Sequence, residues 1–162
     1  MISHETIKKR VAKAVYANAA VKAFCIEKFG KPLNVIVNRY GDEGYPGEKD
    51  APFAFFFSDG ENESGAVDEN TFEFVCVCGA VEPAEAPRYE ERVERTEEEN
   101  GFEISGMAAD VEELREMIYG IIRGGNFGAI FRSAERTESN MADYPLEWAK
   151  MRLAFFEPET IS

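Results

Sequence analysis

One histidine, three cysteines and an acidic stretch punctuated by glycines are the residues from which this 162-residue chain could build a reactive or ligand-binding site. His4 stands beside a chain end, where segments fray, and a general base needs fixed geometry. It therefore reads as a solvated terminal residue rather than a member of a catalytic triad. Cys76 and Cys78 are two apart in a β-rich segment, so they face the same way. A structural zinc site takes four ligands, usually two such pairs or a pair with histidines. No second pair exists, and the two read as small buried hydrophobes. With Cys25 the count is odd and has no framework spacing, so a disulfide scaffold is not expected.

Asp59-Gly60-Glu61-Asn62-Glu63-Ser64-Gly65 places acids at alternate positions, as a calcium loop does. Its sixth position is Ser64 where the sharp turn needs glycine, and its twelfth is Asn70 where a bidentate glutamate belongs. Gly120, Gly124, Gly125 and Gly128 follow a helical pattern, whereas a dinucleotide fingerprint follows a strand and opens a helix. They read as a helix stop. With 31 acidic residues any carboxylate pair can be picked, so spacing does not point to glycoside hydrolysis. The expectation is a protein that is not an enzyme, with no metal and no cofactor.

The elements that must position these residues follow from periodicity. Residues 4–29 read as one long helix with Ser3 as N-cap and Gly30 just past its end. Ile7, Val11, Ala14, Val15, Cys25 and Phe29 form its apolar stripe, with Lys9, Arg10, Lys13 and Lys28 on the other side. Pro32 breaks the helix, and 33–40 and 52–58 read as strands separated by a glycine-rich charged loop. In 72–81, Phe72, Phe74, Cys76 and Cys78 face one way and Val75 and Val77 the other, the pattern of a central strand covered on both sides. Asn100-Gly101 joins 91–99 and 102–107 as an exposed acidic hairpin. Asp110 and Glu113 fit a capping box ahead of a helix that buries Val111, Leu114, Ile118, Ile121 and Ile122. Strands near 128–137 and 145–157 close the chain; in the last, Trp148, Lys150 and Arg152 alternate with Ala149, Met151 and Leu153. The order predicts a single α+β domain over 1–162: a mixed, mostly antiparallel sheet, two helices packed on it, and a protruding acidic β-hairpin.

Charge is unevenly spread. The net charge is −13, yet residues 1–31 carry seven basic and two acidic side chains, leaving −18 on the rest. Such a chain repels nucleic acid and anionic membranes, so neither is an expected partner. No apolar run approaches the roughly 20 residues of a spanning helix. Nothing near Lys8-Lys9-Arg10 reads as a signal peptide, so a reducing cytoplasm is the expected location. A basic helix beside an acidic body suits contacts between copies, for which Lys9, Arg10, Lys13, Lys28, Trp148 and Arg152 are the candidate interface residues.

The helix, the strand order, the acidic hairpin, the segment DVEELREMIYGIIRGG and the closing YPLEWAKMRLAFFEP together resemble the tail-terminator (tail-completion) proteins of long-tailed bacteriophages. The resemblance covers most of the chain and lies in length, element order and texture. It implies a non-enzymatic structural protein: a hexameric ring that caps the tail tube and meets head-connector proteins. It would be made in the bacterial host cytoplasm and retained in the virion tail. It brings no catalytic residue. Six copies would carry −78, so DNA could pass the ring without adhering. The alternative is an acidic protein-binding module, such as an immunity protein or a DNA mimic, with a basic partner.

Overall fold

Ser3 opens the first helix as the sequence predicts, its hydroxyl accepting the Thr6 N–H at 3.1 Å. The structure is a computed structural model that describes residues 3–39, 44–58, 71–81, 93–94, 102–103, 106–136 and 146–157. The expected single helix over 4–29 is two, α1 (His4–Ala17) and α2 (Ala19–Phe29). Asn18 leaves helical geometry (φ −75°, ψ 117°); its backbone N–H closes α1 on Val15 and its side chain accepts the Val21 N–H. An asparagine cap of this kind contributes about 1 kcal/mol. The break re-phases the buried stripe. Ile7, Val11 and Val15 point inward from α1, and Val21, Cys25 and Phe29 from α2. Gly30 ends α2 in the left-handed conformation (φ 76°).

Five strands make the main sheet: β1 (Asn34–Val37), β2 (Phe53–Phe57), β3 (Thr71–Val81), β6 (Ile130–Arg136) and β7 (Leu146–Phe156), in the order β1-β2-β3-β7-β6. The β1–β2 pair is parallel and the other three pairs are antiparallel. β3 is the middle strand, as its apolar faces require. The backbones of β4 (Val93–Glu94) and β5 (Phe102–Glu103) pair antiparallel in a separate two-stranded sheet; the rest of the expected hairpin lies outside the described residues, apart from its last two positions. Residues 106 and 107, assigned above to its second strand, belong instead to α3 (Gly106–Gly124). The helix formers Met107, Ala108 and Ala109 carry α3 upstream of Asp110, which is buried inside the helix rather than capping it. The described residues thus hold three α-helices where two were expected.

All three helices cover one face of the sheet. Leu114, Ile118 and Ile122 of α3 join the inward residues of α1 and α2 against Phe56, Phe74, Cys76, Met151 and Phe155. The other face carries a smaller apolar cluster of Phe53, Phe55, Val75, Val77 and Leu146. What reaches over that second cluster is the segment leading to β2. No helix among the described residues is long and apolar enough to cross a membrane.

Candidate functional site: an aromatic groove on the sheet face opposite the three α-helices

Alternation along β7 sends Leu146, Trp148, Lys150 and Arg152 to the sheet face opposite the three α-helices. Their direct cross-strand neighbours on β3 are Val81, Gly79, Val77 and Val75. Gly79 lies between Phe53 on β2 and Trp148 on β7. A Cβ at position 79 would stand 2.3 Å from the Phe53 Cζ. The glycine therefore lets the Phe53 ring lie across β3, which is the reason for a glycine in this otherwise side-chain-bearing strand. The result is a groove of about 390 Å³ lined by Tyr45, Pro46, Phe53, Val77, Leu146, Trp148 and Lys150. Its volume is within the roughly 300–1,000 Å³ of ordinary ligand pockets.

The outer wall comes from the segment before β2. Tyr45 packs edge-on against Phe55 (5.2 Å) and Phe57 (5.5 Å), which stack on each other at 4.8 Å. Asp50 fixes this segment from below. Its carboxylate accepts the Gly47 N–H at 3.0 Å and pairs with Arg39 at 2.9 Å, while its carbonyl accepts from Asn34 at 3.1 Å. Burial alone would raise the Asp50 pKa, but the Gly47 hydrogen bond and the Arg39 charge outweigh it and hold the carboxyl below its usual range. Tyr45 nevertheless remains 61% exposed, so the wall is open to solvent. A groove of this kind binds by shape and apolar contact, with one ammonium at its rim.

The reactive residues of the sequence are placed elsewhere and are occupied. His4 is pinned rather than solvated: Nε2 accepts the Glu73 N–H at 3.0 Å and the ring packs 5.7 Å from Phe72. That lone pair is unavailable to a substrate proton while the bond holds. Cys25, Cys76 and Cys78 are buried free thiols on the helix-covered side. Burial, aided by the nearby Cys78, pushes the Cys25 thiol up to about 12, and the same causes raise Cys76 well above its ordinary value. Thiolate chemistry is suppressed at both. Among the described residues no cluster of three His, Cys, Asp or Glu side chains could hold a metal ion. The 59–65 segment lies outside the described residues.

Lys8 precedes the basic pair Lys9 and Arg10 but does not share their exposure. It is completely buried, with Nζ 2.7 Å from Glu5 Oε1 and donating to Ser58 Oγ at 3.0 Å. Burial raises the Glu5 pKa, but hydrogen bonds from Lys8 and Asn38 and the charges of Lys8 and Lys9 prevail and lower it. A lysine activating Ser58 would have to accept the hydroxyl proton; Lys8 instead donates to it and pairs with a carboxylate.

The six candidate interface residues divide between two sides of the molecule. Lys9 and Lys13 are exposed on the outer side of α1, with Tyr16 60% exposed nearby and Lys22 of α2 over its ring at 4.8 Å. Arg10 is tied to the turn after α3 through a 2.9 Å hydrogen bond to the Phe127 carbonyl, and Lys28 is half-buried on α2. Trp148 and Arg152 are half-buried on the far sheet face, opposite the three α-helices. Sequence reading named Trp148 but missed the groove around it. The available signals were Gly79 within an apolar strand and the Trp148, Lys150, Arg152 alternation. No protein-family model matches this chain, and no curated protein matches it either.

Proposed function

We propose that this chain is a structural assembly protein, a ring-forming tail terminator at a phage head–tail junction. The observation that carries the reading is the back-to-back placement of two unlike surfaces. The cations Lys9 and Lys13 lie outside the helix layer, and the aromatic groove opens on the opposite face of the sheet. A head-to-tail contact needs two such different patches on one subunit. The groove face itself carries Lys150 and Arg152, so the charge complementary to Lys9 and Lys13 has to come from acidic residues flanking the groove. In this reading the 91–107 segment forms an acidic hairpin that meets tail or head-connector proteins, and no catalytic step is involved.

Light scattering behind size exclusion, with negative-stain imaging of the protein alone and mixed with tail tubes, tests the proposal. Ring-shaped assemblies are expected, weakened by high salt and by K9E/K13E. A monomer in every condition, with bare tube ends, would overturn it. A tight, salt-sensitive one-to-one complex with a basic protein in place of rings would favour the acidic binding module.

A further inference from the structure

We propose that the groove is an anchor site for a segment of a partner protein that presents one large apolar or aromatic side chain next to a single carboxylate. The apolar half of this recognition comes from Phe53, Val77, Leu146 and the Trp148 ring, which leave an open space of about 390 Å³ bounded by Tyr45. The anionic half comes from Lys150, exposed at the groove's rim and directly opposite Val77 on its floor. An ammonium has three donors, so it can take up a carboxylate alongside its existing contacts. Arg152, two positions along on the same face, is a second cation but stands directly opposite Glu135 on β6.

These cations belong to a chain of net charge −13, which makes a polyanion such as nucleic acid a poor occupant. A single carboxylate beside an apolar side chain matches one ammonium beside an apolar groove. The backbone takes no part, because β7 is flanked by β3 and β6 and offers no free edge for an added strand. Recognition therefore rests on side chains, and neighbouring residues of the segment remain in solvent. The groove is also one of the two surfaces proposed for the ring contact, but peptide binding is read at Trp148 and not in the mass of an assembly, so the two proposals can fail separately.

Trp148 is the chain's one tryptophan, so its emission reports the groove alone. The full-length protein is titrated with a blocked tetrapeptide containing phenylalanine followed by glutamate. Its glutamine and alanine counterparts, replacing glutamate and phenylalanine respectively, are titrated in parallel. A saturable change in Trp148 emission is expected with the first. The glutamine peptide should bind about three- to fivefold more weakly, as loss of a partly exposed ion pair implies. The alanine peptide should give no saturable change. In K150M, which alters an exposed side chain and leaves the core untouched, the glutamate and glutamine peptides should bind equally. No saturable change with any peptide, equal binding of the two phenylalanine peptides to the unaltered protein, or charge discrimination that survives K150M would overturn the proposal.

Discussion

Replacing Gly79 by alanine is the sharpest perturbation of the groove. The added methyl carbon would meet Phe53 Cζ at 2.3 Å and Cε2 at 2.5 Å. Ordinary carbon contact begins near 3.5 Å, so the ring tip must withdraw by about 1.2 Å. Phe53 is 1% exposed and packs with Phe55, Val75 and Val77, so its ring cannot move into that cluster and must shift toward the groove it lines, giving up contacts on the packed side. Overpacking of this kind costs about 1–3 kcal/mol. Alanine also lowers the entropy of the unfolded chain, which offsets about 0.4–1 kcal/mol of that cost. The expected net loss of about 1–2 kcal/mol lowers Tm by about 2–8 °C at this chain length. Thermal and urea unfolding measure the loss, and Trp148 emission reports the displaced ring because Trp148 is the other cross-strand neighbour of position 79. In the background F53L, whose side chain is shorter, G79A should cost less, with a coupling of at least about 0.5 kcal/mol. Unchanged stability with unchanged emission, or strict additivity in the double variant, would refute the account of why glycine stands there.

Two further outcomes follow from the buried groups. Asp50→Asn removes the charge that holds the Tyr45 segment and should cost about 1–3 kcal/mol at pH 7. Because the native Asp50 pKa lies below its unfolded value, its contribution is present above about pH 4 and is lost as pH falls through the native pKa. Urea unfolding at pH 7 and pH 3 should show the gap to D50N closing in acid, and a constant gap would contradict the linkage. The three thiols should resist an aromatic disulfide reagent in the native protein and react with three equivalents in denaturant, since Cys25 and Cys76 are buried with raised pKa values. Rapid native reaction of Cys25 or Cys76, identified by peptide mapping, would show that the core opens there.

The parts of this fold that could be read from sequence are those set by period alone. The two apolar faces of 72–81 put β3 in the middle of the sheet, and the alternation in 145–157 gave β7 its faces. The break at Asn18 was legible in principle. Continuing the Ile7, Val11, Val15 stripe without interruption would turn Lys22 toward the core, and an asparagine between helix formers is a capping signal. Lys8 was not legible, because its burial depends on Glu5 one turn back and on Ser58 fifty positions away. The groove was hidden for a similar reason. Its outer wall is a glycine-rich loop, whose composition says that the chain turns but not which face it covers.

The placement of the two surfaces also constrains the proposed ring. Lys9 and Lys13 lie outside the helix layer, whereas Trp148 and Arg152 lie beyond the sheet, so a contact joining these patches runs through the thickness of the molecule. Repeated without rotation, a contact between opposite faces gives an open stack. Closure at six copies needs a turn of about 60° at each step. That turn must come from residues flanking the patches or from a tail tube that templates the circle. Free protein that forms filaments, but closes into rings on tube ends, would therefore retain the head-to-tail contact and assign the curvature to the tube. Free protein that forms rings by itself would instead place the curvature within the chain's own contact surfaces.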